Sequence, residues 1–428
     1  MKVLWLLLLL PLLSVIPQTA RPNCRSDIQG VTHCVEDGGD TQLLIIDLSD
    51  PYLRVQTVMA NDVLDVWPSD EERESVSDMA QRYRADGVIA AINADYFGRE
   101  RGPEGPTVVQ GQRLDTPVTI ALNPSEYRRT TLALARWGQA AITHLNPIGS
   151  LSPGVYRDLL FNAVSGGPII LYEGRVLPEA FACLFDGIPM GACRRARQTA
   201  AGIDESGQTL YLVASEQRST GRLAELLREY GAFNAMKLDG GGSTQLWYRG
   251  RTLVDSERKI ANALLIFKED APRHAAKLIA RPPVLLIEEG TGASVEVELR
   301  NAGHLDWTSD RYYGLRLRED EAWASDFLRL PQDVAPNGTA VFTLPINSAL
   351  TAGVYTSTWQ LATPFESFGP TVPVNIVVLP REAGDLHKQV QPLLKRLTRL
   401  SDKSYEVEWP KTAQQIQQMI EAWVKKKP

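Results

Sequence analysis

Asn234-Ala235-Met236-Lys237-Leu238-Asp239-Gly240-Gly241-Gly242-Ser243-Thr244 reads as an apolar β-strand that runs into a glycine loop carrying one carboxylate and two hydroxyls. Consecutive glycines let a backbone take positive φ and bring its N–H groups close to oxygens, while Asp239 offers charge and Ser243 and Thr244 offer donors. A tight turn needs only one glycine, so the loop by itself fits either a ligand cradle or punctuation between core elements. Upstream, residues 222–230 place Leu223, Leu226, Leu227 and Tyr230 on one helical face. Downstream, Gln245-Leu246-Trp247-Tyr248, a turn at Arg249-Gly250 and an apolar run at 263–267 read as strands.

The same texture extends toward the N-terminus. Residues 43–48 and 53–58, joined at Ser49-Asp50-Pro51, are expected to form a hairpin. Residues 69–85 have helical spacing at Val76, Met79, Ala80 and Tyr83 and feed a buried strand at 87–92. Further strands are expected at 118–122, 130–135, 140–144, 167–172, 199–203 and 210–215, mostly with connections too short for a helix. Many strands and few helices predict an α+β domain with a largely antiparallel mixed sheet over residues 21–270.

Past a polar linker at 269–274 the pattern changes. Between 281 and 380 short alternating strands such as Ser294-Val295-Glu296-Val297-Glu298-Leu299 are separated by turns such as Pro336-Asn337-Gly338, which predicts an all-β sandwich. Asn301-Ala302-Gly303-His304-Leu305-Asp306-Trp307, Thr356-Ser357-Thr358-Trp359 and Pro373-Val374-Asn375-Ile376-Val377-Val378 give it a resemblance to the immunoglobulin-like modules appended to many exported bacterial proteins. The tail, 381–428, carries Leu386, Val390, Leu393, Leu394 and Leu397 on one helical face and a second helical run at 412–424, suited to packing on the sandwich.

The 428 residues carry a formal net charge of -6 with no basic block, which argues against a nucleic-acid partner. Met1-Lys2, an apolar run at 3–16 and Pro17-Gln18-Thr19-Ala20 fit a secretory signal peptide cut after Ala20, so residues 1–20 are expected to be removed and the protein secreted, with cell-surface association compatible. The run is short for a bilayer span of roughly 20 residues, and no later segment is apolar enough to cross. In an oxidising compartment Cys24 and Cys34, and Cys183 and Cys193, are expected to close two local disulfides, because short loops cost less entropy to order. A zinc site lacks ligands: no C-x-x-C occurs and the five histidines are scattered, so no metal or other cofactor is expected.

Three polar loops each follow an apolar strand: Asn93-Ala94-Asp95-Tyr96, Ser165-Gly166-Gly167-Pro168 and residues 239–244. Strand ends are where a rigid scaffold converges side chains on one cleft. Asp95 and Asp239 at such ends suit acid and base roles, and each alone also suits a turn or cap. Serine hydrolase chemistry is the rival, but neither Ser165 nor Ser243 sits in a G-x-S-x-G elbow or beside a histidine. The glycine run also lacks the lysine of a P-loop and the spacing of a dinucleotide fingerprint.

Taken in order, Ile92-Asn93-Ala94-Asp95-Tyr96-Phe97, Val164-Ser165-Gly166-Gly167-Pro168-Ile169-Ile170, Gln198-Thr199-Ala200-Ala201-Gly202-Ile203-Asp204, residues 238–244 and Ile260-Ala261-Asn262-Ala263-Leu264-Leu265-Ile266-Phe267 resemble the phosphodiester glycosidase family, whose animal member is the uncovering enzyme. The resemblance covers about residues 41–268 and implies hydrolysis of an N-acetylglucosamine-type sugar-1-phosphodiester in a surface or extracellular glycan. It further implies that Asp95 and Asp239 act at the anomeric carbon, one as base or nucleophile and the other as acid or sugar-hydroxyl ligand. Gly166, Gly167, Gly240, Gly241 and Gly242 would hold phosphate or sugar oxygens with Ser243, Thr244 and Thr199 beside them, and Asn93 and Asn262 would bind the sugar or brace the loops. Family members usually carry arginine immediately before the Thr-Ala of the third motif, where this chain has Gln198; Arg197 or Arg195 is expected to supply that charge. A non-catalytic glycan-binding or wall-associated protein, with the sandwich adding surface glycan contact, is the alternative reading.

Overall fold

The computed structural model describes residues 23–64, 73–98, 102–114, 129–144, 160–179, 183, 190–318, 326–364 and 366–426. The expected signal peptide and the expected strand at 118–122 lie outside them. The chain divides into two compact units, Met1–Lys268 and Glu269–Pro428.

The first unit is built from three sheets. An 8-stranded sheet runs Cys24–Ile28, Val31–Glu36, Thr41–Asp47, Thr209–Arg218, Ala196–Ile203, Asn234–Lys237, Ile169–Tyr172, Arg175–Val176. One 5-stranded sheet runs Gln112–Leu114, Thr107–Val109, Asn162–Gly166, Thr130–Leu134, Ala140–His144, and another Arg251–Val254, Leu246–Tyr248, Val88–Asn93, Asn262–Lys268, Leu53–Met59. Alternating side chains from all three meet in one core, with Leu44, Ile46, Leu210 and Leu212 from the first, Leu132 and Val164 from the second, and Ile92, Leu264 and Ile266 from the third. The described strand pairings in this unit are antiparallel, so the expected single mixed sheet is three antiparallel ones.

Helix Thr220–Tyr230 covers the outer face of the 8-stranded sheet with Leu223, Leu226, Leu227 and Tyr230. Ser219 caps it by accepting from Arg222 N at 3.4 Å, and Gly231 ends it at φ 108°. Helix Val76–Arg82 covers the third sheet, where Met79 packs among Ala91, Leu265 and Phe267, the side chains that alternate with the core-facing Ile92, Leu264 and Ile266.

The expected hairpin over 43–58 does not form. Thr41–Asp47 and Leu53–Met59 are strands, but they pair in different sheets, the first with Val31–Glu36 and Thr209–Arg218, the second with Asn262–Lys268. The connection is a corner, held by the buried Asp50 carboxylate, which accepts from Tyr52 N at 2.8 Å and Lys268 Nζ at 3.2 Å. The expected strand at 167–172 forms over Ile169–Tyr172, and the strand just before it lies in a different sheet. Asn162–Gly166 belongs to one sheet and Ile169–Tyr172 to another, with the Gly167-Pro168 step between them.

The second unit has a three-stranded and a five-stranded sheet across one core containing Val297, Trp307, Phe342, Trp359 and Val374. Helices Gly384–Leu397 and Asp402–Val424 pack Leu386, Val390, Tyr405, Trp409 and Ile416 against Leu286, Val354, Val377 and Leu379 on the outer side of the five-stranded sheet. Among the described residues no helix is long and apolar enough to cross a membrane.

Candidate active site

Five strand ends from the three sheets of the first unit meet at one place. Asn93 closes Val88–Asn93, Asn262 opens Asn262–Lys268, Gly166 closes Asn162–Gly166, Lys237 closes Asn234–Lys237, and Gln198 and Thr199 lie near the start of Ala196–Ile203.

Asn93 and Asn262 brace the wall of this site. Asn93 Nδ2 donates to Asp239 O at 2.7 Å, and its Oδ1 accepts from Thr199 Oγ1 at 2.9 Å and Gln245 N at 3.0 Å. Asn262 Oδ1 accepts from Asp95 N at 3.0 Å while its Nδ2 donates to Asp95 Oδ2. Asn93 and Asn262 are each 1% exposed and Thr199 is fully buried, so all three position other groups.

Asp95 is 2% exposed and accepts from Ser165 N, Asn262 Nδ2 and, at 3.2 Å, Thr107 Oγ1. Burial pushes its pKa up to about 8, against the pull of the Asn262, Ser165 and Thr107 donors and with a further rise from the charge of Asp239. That last influence places the two carboxyls in one electrostatic site.

Asp239 is the more open of the two at 9% exposure. Burial raises its pKa, while the Ser243 hydroxyl, the Lys237 and Arg258 charges and the Gly240 N–H hold it down. Ser243 Oγ lies beside this carboxyl without a well-formed hydrogen bond, and Thr244 Oγ1 is likewise buried and unpartnered. Gly241 takes φ 61° and is exposed with Gly242, so a short helical turn over Gly241–Ser243 opens with N–H groups that have no preceding carbonyl to bond.

Lys237 also belongs to the site, and its signal in the sequence is a lysine between Met236 and Leu238 in an apolar strand. It is 2% exposed and donates to Tyr96 Oη and Leu238 O, both at 2.8 Å; Tyr96 Oη in turn donates to Gly167 O at 2.9 Å. Burial lowers its pKa to about 8, with Asp239 pulling the other way. Gly240 leaves room for this: a Cβ there would lie 3.0 Å from Lys237 Nζ and 3.1 Å from Gln198 Oε1.

Gly166 and Gly167 serve close backbone packing. Gly167 N donates to Lys237 O at 2.7 Å, and a Cβ on Gly166 would stand 2.3 Å from Lys237 O and 3.3 Å from Leu238 Cα. Both obstacles are backbone, so Gly166→Ala is expected to destabilise the first unit by about 3 kcal/mol, read from the urea midpoint; an unchanged midpoint would show that the sheets can part at no cost.

Arg197 does not reach the site. Its guanidinium is held elsewhere, with Nε 2.9 Å from Glu216 Oε2 and Nη2 donating to Asp255 O. Arg195 is exposed and lines a separate groove with Asp37, Asp40 and Arg218. Gln198 is 1% exposed and donates to Ala192 O at 3.0 Å and Arg194 O at 2.9 Å, clamping the turn next to the Cys183–Cys193 disulfide; Cys24–Cys34 is also closed. Neither rival serine is paired with a histidine among the described residues: Ser165 Oγ donates to Pro106 O at 2.6 Å, and Ser243 Oγ lies beside the Asp239 carboxyl. Among the described residues no three His, Cys, Asp or Glu side chains are grouped to hold a metal ion.

The family model for phosphodiester glycosidases matches residues 86–267, which contain this whole arrangement. Among solved structures, a hypothetical protein from Synechocystis is similar at 17% identity over 59% of this chain and 64% of that one, with a TM-score of 0.45. This chain therefore spans less than two thirds of the Synechocystis protein. The zebrafish N-acetylglucosamine-1-phosphodiester alpha-N-acetylglucosaminidase catalytic domain, auto-inhibited by its pro-peptide, is similar at 16% identity over 56% of this chain and 82% of that one, with a TM-score of 0.41. No curated protein matches in sequence. Residues 86–267 thus match the phosphodiester glycosidase family model, over the stretch that carries the motifs resembling that family.

Proposed function

We propose that the first unit is an exported hydrolase that cleaves an N-acetylglucosamine-type sugar-1-phosphodiester in a surface or extracellular glycan. The observation that carries this reading is the Asp239 carboxyl, set at an open glycine turn within reach of the charge of buried Lys237 and itself acting on the buried Asp95 carboxyl. Two closed disulfides support export, since such bonds persist in oxidising compartments. The second unit is read as an immunoglobulin-like module that adds contact with a surface glycan.

In this reading Asp239 acts at the anomeric carbon as base or nucleophile. Water adds to that carbon and gives up a proton to the Asp239 carboxylate, the bond from the carbon to the phosphate oxygen breaks, and the phosphate monoester leaves with the electron pair. Lys237 acts through Asp239 as a positioning residue, holding positive charge beside a carboxylate that burial would otherwise keep protonated. Asp95, sealed behind the surface, holds a proton and so spares Asp239 a like charge.

The test is release of free sugar from an N-acetylglucosamine-1-phosphodiester series across pH. Below about pH 8 Lys237 is cationic and Asp95 neutral. Raising the pH through about 8 removes a proton from each, adding two units of negative charge around Asp239 and repelling an anionic substrate. Activity is expected to fall there, and on the acid side as Asp239 protonates above the ordinary carboxylate range. A rate that stays flat from pH 6 to 10, as round assay points, would remove both buried groups from the mechanism. Gln198, neutral where the resemblance expects arginine, favours the second reading, a glycan-binding protein without turnover; binding without release across the series would establish it.

A further inference from the structure

A phosphodiester is an anion, and the residues expected to meet it with charge are elsewhere: Gln198 is neutral, and Arg197 is tied to Glu216 and Asp255. Lys237 is 2% exposed and gives two of its three donors to Tyr96 and Leu238. Among the described residues, the Arg258 side chain at the glycine turn forms no hydrogen bond or ion pair. Arg258 lies on the loop between Arg251–Val254 and Asn262–Lys268, and its Cδ is 3.5 Å from where a Cβ on Gly242 would stand.

Its backbone is pinned to the turn at both ends. Arg258 O accepts from Gln245 Nε2 at 2.8 Å, and Arg258 N donates at 3.2 Å to Ser256 Oγ, which itself donates to Gly242 O. Its guanidinium stands 4.8 Å from the Phe97 ring centroid, a platform that steadies a planar cation without using its N–H donors. Arg73 stands over the same ring but donates to Gly98 O and is buried, whereas the Arg258 side chain is exposed and forms no hydrogen bond or ion pair among the described residues. Its charge reaches Asp239. On the same turn Thr244 Oγ1 is a buried donor without a partner among the described residues, an arrangement that costs free energy unless a ligand oxygen accepts from it, and Ser243 Oγ is held only loosely by the Asp239 carboxyl.

We propose that Arg258 is the anion-binding residue of this cleft, pairing with the phosphate of a diester substrate from the loop before the last strand and replacing the charge that Gln198 lacks. The inference rests on the hydrolase reading above for the substrate, but not for the binding. A guanidinium offers a fork of donors to two phosphate oxygens, which an ammonium does not.

The test compares wild type with Arg258→Ala, Arg258→Lys and, as a neighbouring exposed control, Lys259→Ala. An N-acetylglucosamine-1-phosphodiester and a neutral aryl glycoside of the same sugar are the substrates, and binding of N-acetylglucosamine-1-phosphate is followed by calorimetry. Arg258→Ala is expected to lower the preference for the phosphodiester on the order of 10–100-fold, the scale of a hydrogen-bonded charge pair, and to weaken sugar-phosphate binding to the same degree. Arg258→Lys should recover part of the loss, and Lys259→Ala none is needed, since it should behave as wild type. An unchanged preference with unchanged binding, or equal losses in the control, would overturn the assignment. If wild type releases no sugar yet binds the sugar phosphate and Arg258→Ala does not, the hydrolase reading fails while the anion site stands. If wild type does not bind the sugar phosphate at all, the anion site fails.

Discussion

Asp239→Asn is expected to cut kcat for sugar release by about 1000-fold, the scale of a lost general base or nucleophile. The amide keeps the shape of the carboxyl and can still accept from the Gly240 N–H, so the glycine turn should persist. What changes is charge. Lys237 loses the counter-charge that holds its proton, so its pKa falls below about 8 and it sheds its proton more readily at pH 7. The lost pairing is partly offset because one buried charge fewer must be desolvated, and stability should move by no more than about 2 kcal/mol. Above pH 8 Lys237 is neutral in both proteins, so the stability difference from this pairing should vanish there while the activity difference does not. A variant that keeps its rate would take Asp239 out of the reaction; one that unfolds would show that the pair is structural.

Asp95→Asn is expected to damage the fold. The carboxyl accepts on both oxygens from groups that only donate, Ser165 N on Oδ1 and Asn262 Nδ2 on Oδ2. An asparagine can present oxygen to one and must present its NH2 to the other, at a cost of about 1–3 kcal/mol for a buried donor left unpaired. Asn262 cannot rotate to help without losing its bond from Asp95 N. The pH dependence gives a second readout. Burial raises the folded pKa of Asp95 to about 8, above its ordinary 3.8, so its contribution to stability is complete below about pH 4 and is lost as pH rises to about 8. Asparagine does not titrate, so the gap between wild type and variant should be widest at low pH, narrow toward pH 8 and stay constant beyond it. A gap independent of pH would mean that Asp95 carries the same charge in the folded and unfolded chain.

Much of the scaffold was legible before any coordinates. The strands at 130–134 and 140–144, the helix with Leu223, Leu226, Leu227 and Tyr230 buried, and the tail helix with Leu386, Val390, Leu394 and Leu397 buried all follow from apolar spacing. The error over residues 43–58 is of a different kind. Alternation marks a strand but not its partner, and Asp50 sends the second strand into another sheet through bonds to Tyr52 and to Lys268, far along the chain. Arg197 is kept from the site by Glu216 on the neighbouring strand and Asp255 on a distant loop, partners that its position beside Gln198 does not reveal.

What the sequence determined by itself is the local material: strands from period-two alternation, helices from caps and apolar stripes, two short disulfide loops, and a glycine turn bearing Asp239. These depend on residues close together in the chain. Whether a polar residue of the site faces the cleft or stiffens its wall was decided only in the tertiary structure. Asn93 is spent on Asp239, 146 residues away, and Asn262 on Asp95, 167 residues away. A hydrogen bond leaves no trace in the spacing of residues so far apart, and a buried donor must be satisfied by whatever the packed sheets bring beside it. The same packing took Arg197 out of the cleft and left Arg258 at its edge.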